Sequence, residues 1–168
     1  MKVAAYACLV LLVIPVQVVL ADRLGIAGVR PDLALVAVCL IGLYRGEVDA
    51  VLVGLALGFA QDLFSGAPHW GNLCLKPILG LVAGLAGRSL VNLTWTFVLV
   101  LLLALSMFSG TVLYLLKSVT GPGGSFFLAA RGIILPEACY DALAGLILLK
   151  LIRLWRPPRA PLTALTYE

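Results

Sequence analysis

The run from Leu93 to Leu116 limits the possible folds of this chain most strongly, because it holds no charged residue over 24 positions. A helix of that length extends about 36 Å, longer than the roughly 30 Å hydrocarbon core of a bilayer. Of the 168 residues, 62% are hydrophobic and 12% are charged. About a quarter of the residues in a soluble domain are charged. The composition therefore indicates a protein that folds in lipid.

Five further apolar stretches predict an all-α integral membrane protein, a bundle of six transmembrane helices in a single domain over 1–152. Residues 153–168 are polar and rich in proline, so they predict a cytoplasmic tail. The second span is short and needs Arg30 and Arg45 to extend toward the two interfaces. The predicted spans are about 3–21, 29–46, 48–64, 72–90, 92–117 and 131–152.

The first span has a competing interpretation as a signal peptide that ends at Ala21. We favour a retained helix, because its apolar core is longer than that of an ordinary signal peptide. Lysine and arginine are enriched on the cytoplasmic side of membrane proteins. With six spans, seven of these residues lie on the side of both termini and four on the other. Both termini are therefore predicted to be cytoplasmic.

Charged residues inside the spans are costly in lipid and so are candidates for a functional site. The predicted topology places five polar residues toward the outer side, namely Gln17, Asp62, Lys76, Glu137 and Asp141. They form either one binding or relay site or separate packing contacts, and we favour packing. In the packing interpretation, Asp62 and Lys76 form an ion pair between neighbouring helices.

Two G-x-x-x-G motifs predict close packing between helices, because the spacing places residues without side chains on one helix face. Gly54 and Gly58 form the first motif, Gly80 and Gly84 form the second, and Gly87 extends the second face. Packing within one chain is the favoured interpretation, and a homo-oligomer interface is the alternative.

No arrangement of residues points to catalysis, a metal or a cofactor. Cys8, Cys39, Cys74 and Cys139 are isolated in apolar segments, which is typical of small buried residues rather than of ligands. His69 is the single histidine and cannot build a histidine-based metal site. We therefore predict no enzyme activity, no cofactor and no nucleic-acid partner, with the bilayer as the surrounding medium.

Several local motifs resemble the MreD family of bacterial rod shape-determining membrane proteins. Arg-Pro-Asp-Leu opens the second span, and the segment GLALGFAQDLFSGAPHWG ends at Gly71. His69 and Trp70 differ from the family's commoner residues at those positions, which affects partner contacts of that loop. The matching positions are Pro31, Asp32, Gly54, Gly58, Asp62, Gly66, Pro68, Gly71, Gly87, Arg88, Glu137 and Asp141.

This resemblance implies an inner-membrane protein of the cell-elongation machinery without catalysis of its own. The implied partners are MreC, the actin-like MreB, the polymerase RodA and its penicillin-binding transpeptidase. The six-helix design of the family is similar to that of the substrate-binding subunits of vitamin transporters. Two hypotheses follow: a scaffold subunit that links wall synthases and MreC to the MreB filament, or the substrate-binding subunit of a small-molecule transporter.

Overall fold

The computed structural model describes residues 13, 29–65, 70–89, 94–120 and 124–155. Regular structure in these ranges is helical, which confirms the all-α class. We name the two ends of the bundle after Trp70, which precedes the third helix, and Arg45, which ends the first. The elements are α1 (Leu33–Arg45), α2 (Glu47–Ser65), α3 (Gly71–Ser89), α4 (Trp95–Thr120), α5 (Phe126–Ala129), a π-helical turn (Ala130–Ile134) and α6 (Leu135–Trp155).

Three of the described helices are long and apolar enough to cross a membrane, and they cover Glu47–Ser65, Trp95–Val119 and Phe126–Ile152. Helix α1 is apolar but shorter. In α3, Asn72, Lys76 and Arg88 lower the mean hydropathy. The first predicted span and Gln17 lie outside the described residues, except for Val13. The structure thus supports an integral membrane protein, and the number of six spans stays a prediction.

Helices α2 and α3 pack backbone against backbone through the glycines of the two motifs. A Cβ atom added at Gly54 would lie 2.8 Å from the Lys76 carbonyl oxygen, and one added at Gly80 would lie 2.8 Å from the Ala50 carbonyl oxygen. Gly58 meets the backbone of Asn72 in the same way. Any side chain at these positions would therefore force the two helices apart. Gly84 likewise contacts α2, whereas Gly87 contacts α1.

Helix α1 lies at the centre of the described bundle, in contact with α2, α3, α4 and α6. Eight of its 13 residues are buried. Val36 and Cys39 join a core cluster with Leu79 of α3, Leu102 of α4 and Leu149 of α6. This central position explains why a short helix can be apolar on all sides. Cys39 is buried as a small hydrophobic residue, whereas Cys74 and Cys139 are exposed free thiols.

Large apolar side chains cover the surface of the bundle. Phe59 and Leu63 of α2 are 47% and 59% exposed, and Ile147 of α6 is 64% exposed. A soluble protein rarely exposes apolar surface so extensively. Contact with lipid chains removes that cost. The surface therefore agrees with the apolar composition in indicating a membrane environment.

Candidate functional site

Asp32 lies at the start of α1 and organises the polar interior of the bundle. Its Oδ1 accepts a hydrogen bond of 3.1 Å from the Leu35 amide, so the side chain caps the helix that begins at Leu33. Pro31 precedes it, and proline disfavours a helical conformation in the residue before it. The local sequence thus fixes where α1 starts, which places the Asp32 carboxylate among three other helices.

Lys76 of α3 forms an ion pair with this carboxylate. Its Nζ donates to Asp32 Oδ2, and the lysine is 0% exposed. Gln61 of α2 donates from Nε2 to Asp32 Oδ1 at 3.1 Å. A lysine buried at this depth needs a charged partner, because an unpaired ammonium group in a low-dielectric interior is strongly unfavourable. Asp32 supplies that partner and connects α1 to α2 and α3.

Asp141 of α6 extends the network to the remaining two long helices. Its Oδ1 accepts a hydrogen bond of 2.6 Å from the Asp32 backbone amide. Its Oδ2 accepts one of 2.5 Å from Ser106 Oγ in α4. Asp141 is 0% exposed. A single chain of polar contacts, which we call the polar network, therefore joins α1, α2, α3, α4 and α6 through Asp32, Gln61, Lys76, Ser106 and Asp141.

Asp62 does not pair with Lys76, so that predicted ion pair is wrong. Its carboxylate instead accepts hydrogen bonds from the Leu73 amide at 2.8 Å and from the Asn72 side-chain amide at 2.7 Å. The first amides of a helix have no partner within that helix and attract a carboxylate. Consecutive helical residues also point about 100° apart. Gln61 therefore faces the polar network, while Asp62 faces the start of α3.

A cavity of about 220 Å³ lies beside the polar network, between α4 and the segment from α5 to α6. Glu137 and Asp141 contribute carboxylates to its wall, and Lys117 contributes an ammonium group. The Glu137 carboxylate has no hydrogen bond or ion pair within the described ranges. The π-helical turn supplies Ile133 and Ile134 to the same wall. Such turns occur frequently at functional sites.

The other predicted positions are distributed over the bundle. Gly71 is the first residue of α3, and the exposed Arg88 forms an ion pair with Glu47 at 3.4 Å near the Arg45 end. Gly66 and Pro68 lie outside the described residues. Glu137 and Asp141 are both at the cavity, whereas Asp62 is not among the residues that line it.

Sequence reasoning missed the parts played by Asp32, Gln61 and Ser106. The resemblance to the family marks Asp32 as a motif position but does not indicate a charge partner for it. Its place directly before an apolar run marked a helix cap. The uncharged Ser106 lies within the most apolar run and gives no comparable signal.

Comparison with known families supplies the identity of the chain. The model of the rod shape-determining protein MreD matches residues 2–155, which is most of the sequence. The chain belongs to the MreD family. The resemblance seen in the motifs is thereby confirmed. Searches of curated proteins and of solved structures found no match for this MreD chain.

Membership of the family assigns this MreD chain a role in rod shape determination. The family description names that role and no reaction. The apolar helices and the exposed apolar surface agree with an integral membrane protein. The polar network and the adjacent cavity are the main polar features in an otherwise apolar bundle, so they form the candidate functional site.

Proposed function

We propose that this chain is a non-catalytic scaffold subunit of the bacterial cell-elongation machinery. In this role it links MreC and the peptidoglycan synthases, RodA and its penicillin-binding transpeptidase, to the cytoplasmic MreB filament. The family match over residues 2–155 is the observation that carries the proposal. A scaffold acts by binding, so it needs a rigid body with surfaces for partners rather than a reactive centre.

The polar network and the close packing of α2 against α3 support a rigid body. A buried ion pair holds helices in one arrangement, because any other arrangement leaves a charge unpaired. Lys76 contributes to both features: its side chain reaches Asp32, while its backbone contacts Gly54. The exposed apolar faces of α2 and α3 are surfaces on which membrane helices of a partner can pack.

The topology that we propose has six spans and both termini in the cytoplasm, in the inner membrane. Basic residues near the Arg45 end support this orientation, since Arg45, Arg88 and Lys150 all lie in the last turns of their helices or close to them. The polar network then lies toward the outer side. The likeness to vitamin-transporter subunits in overall design stays a prediction.

Affinity purification of the full chain from native membranes in mild detergent tests the scaffold function. We expect MreC-like and wall-synthase proteins to co-purify, and depletion of the chain to produce round cells. A Lys76→Met variant, which disrupts the network, should lose these partners, whereas Arg88→Met should retain them. Recovery of the wild-type chain without any wall-synthesis protein, from cells that stay rod-shaped on its depletion, would contradict the proposal.

A second candidate is the substrate-binding subunit of a small-molecule transporter, and the cavity is the observation that favours it. Ligand sites are concave, largely apolar and carry a few convergent polar groups. The cavity between α4 and α6 meets this description. Purification separates the two candidates, because a transporter subunit would be recovered with energy-coupling components instead of wall synthases.

A further inference from the structure

The cavity between α4 and α6 contains an acidic group, Glu137, for which the described part of the chain supplies no hydrogen bond. Glu137 lies one helical turn from Asp141 on the same face of α6. Both oxygens of Asp141 accept hydrogen bonds, from the Asp32 amide and from Ser106. The half-buried Glu137 carboxylate accepts none from the part of the chain that the structure describes. The two carboxylates of α6 therefore differ: among the described residues, the oxygens of Asp141 are engaged by the bundle, whereas those of Glu137 face the cavity without a hydrogen bond.

The balance of charge around the cavity favours a positively charged guest. Asp32, Glu137 and Asp141 line the cavity with three carboxylates, and Lys117 lines it with one ammonium group. Lys76, which bonds to Asp32, adds a second positive charge. Carboxylates therefore outnumber ammonium groups in the wall of the cavity. A positively charged group beside Glu137 would compensate this acidic wall, where uncompensated charge is costly.

The size and the apolar walls of the cavity favour an organic cation over a bare ion. A water molecule occupies about 30 Å³ in the liquid, so a cavity of about 220 Å³ is much larger than one bare monovalent ion needs. Leu113 of α4 and Ile133 of the π-helical turn are among the residues that line it. Apolar walls of this kind suit a short hydrocarbon portion.

We propose that this cavity binds a small organic cation, with its ammonium group at the Glu137 carboxylate and its hydrocarbon portion against Leu113 and Ile133. The π-helical turn makes the site possible, because it adds Ile133 and Ile134 to the wall one turn away from Glu137. This binding site is separate from the scaffold function, since it depends on the lining residues alone. Its failure would leave the partner experiments above unaffected.

Fluorine NMR on the full chain in lipid nanodiscs tests the site, with ω-fluorobutylammonium as the probe. The neutral ω-fluorobutanol, which has nearly the same shape, reports binding that does not depend on charge. Empty nanodiscs report partition of each probe into lipid. We expect saturable binding of the ammonium probe with a dissociation constant on the order of 1 mM or tighter. The alcohol should bind at least about tenfold more weakly, since it lacks the charge-assisted contact.

Two variants locate this binding. Glu137→Gln removes the charge and should weaken the ammonium probe about tenfold, to the level of the alcohol. Ala129→Phe fills part of the cavity without changing any charge and should weaken both probes. Glu47→Gln is the matched control, because it changes a carboxylate near the Arg45 end, and it should bind the probe as the wild type does. Circular dichroism checks that each variant is folded.

Several outcomes would overturn the proposal. Equal binding of the ammonium and the alcohol would show that Glu137 is neutral in the cavity and selects no cation. Displacement of the ammonium probe by potassium chloride at equal concentration, but not by choline chloride, would assign the site to an inorganic cation. Unchanged binding in folded Glu137→Gln and Ala129→Phe variants would place the probe elsewhere.

Discussion

The α2–α3 contact and the α4–α6 contact hold neighbouring helices together by different interactions. At the first, glycines bring two backbones together so closely that a single methyl group would not fit. At the second, Ser106 donates a hydrogen bond to Asp141, and a cavity lies beside this contact on the Trp70 side. Helices in lipid gain little from burying apolar surface against each other, so close packing and polar contacts must provide the attraction.

The difference between the two contacts indicates which part of the bundle contributes most to stability and which part is suited to ligand binding. The α2–α3 contact has backbone atoms on both sides and no space to rearrange. Around the cavity, by contrast, flexible side chains and the π-helical turn form the walls. We therefore expect substitutions at the α2–α3 contact to affect stability, and substitutions around the cavity to affect ligand binding with smaller costs in stability.

The largest effect is expected for Lys76→Met, which removes the charge that joins α3 to the polar network. The Asp32 carboxylate would stay buried without its ion-pair partner, at a cost of about 3–5 kcal/mol. Steric trapping in nanodiscs measures the free energy of unfolding. Arg88→Met is the matched control, since its ion pair with Glu47 is exposed and should cost less than about 1 kcal/mol. Similar losses in the free energy of unfolding for both variants would mean that the buried ion pair of Lys76 contributes no more to stability than an exposed one.

Gly80→Ala should reduce the free energy of unfolding by about 2 kcal/mol, because the added methyl group would overpack the contact between α2 and α3. The Cβ atom would lie 2.8 Å from both the Ala50 carbonyl oxygen and Val38 Cγ1. Gly132→Ala is the matched control, since a Cβ atom there has no neighbour within 4 Å. That variant should stay within about 1 kcal/mol of the wild type. Equal tolerance of both substitutions would remove the distinction between the tight and the open contact.

Ser106→Ala tests the polar contact on the cavity side, with an expected loss of about 1–2 kcal/mol. The substitution removes the hydrogen bond to Asp141 Oδ2 while keeping a small side chain. The same measurement applies, and Thr111→Ala serves as control, since the Thr111 hydroxyl donates to the Met107 carbonyl of its own helix. A larger cost for Thr111→Ala than for Ser106→Ala would contradict the importance of the network in joining α4 to α6.

The smallest effect is expected for Asp62→Asn, which weakens the cap of α3 by about 1 kcal/mol. Hydrogen exchange at the Leu73 amide, which donates to Asp62, should become faster. The exchange of charges in an Asp62→Lys and Lys76→Asp double variant provides the control. It should be no more stable than the less stable single variant, because the two residues do not form a pair. Recovery of stability in the double variant would instead support the Asp62–Lys76 ion pair that was predicted from the sequence.

Residue spacing along the chain was sufficient to predict which residues share one face of a helix. Gly54 and Gly58 are four residues apart, as are Gly80 and Gly84, and this periodicity places each pair on one helix face whatever the partner is. Glu137 and Asp141 share a face for the same reason. The structure adds which partner each face meets, since that choice depends on how the helices are arranged around α1.

Pairing between distant residues could not be read from the chain in this way. Lys76 is separated by 14 positions from Asp62 and by 44 from Asp32, and the similar predicted depth of Asp62 and Lys76 in neighbouring helices favoured the wrong partner. The deciding factor is the cap geometry of two helices. Asp62 is held by the first amides of α3, which leaves Asp32 to face the lysine.

Hydropathy along the chain is sufficient to indicate a helical membrane protein, because an uncharged run of 24 residues has few stable alternatives to a helix in lipid. The spacing of the glycines also indicates where two helices can come into close contact. The packing of the helices, by contrast, sets which charges pair, brings Ser106 into the polar network and leaves a cavity beside Glu137. The physical reason is that hydropathy and spacing act along one helix, whereas ion pairs and cavities depend on the relative positions of several helices.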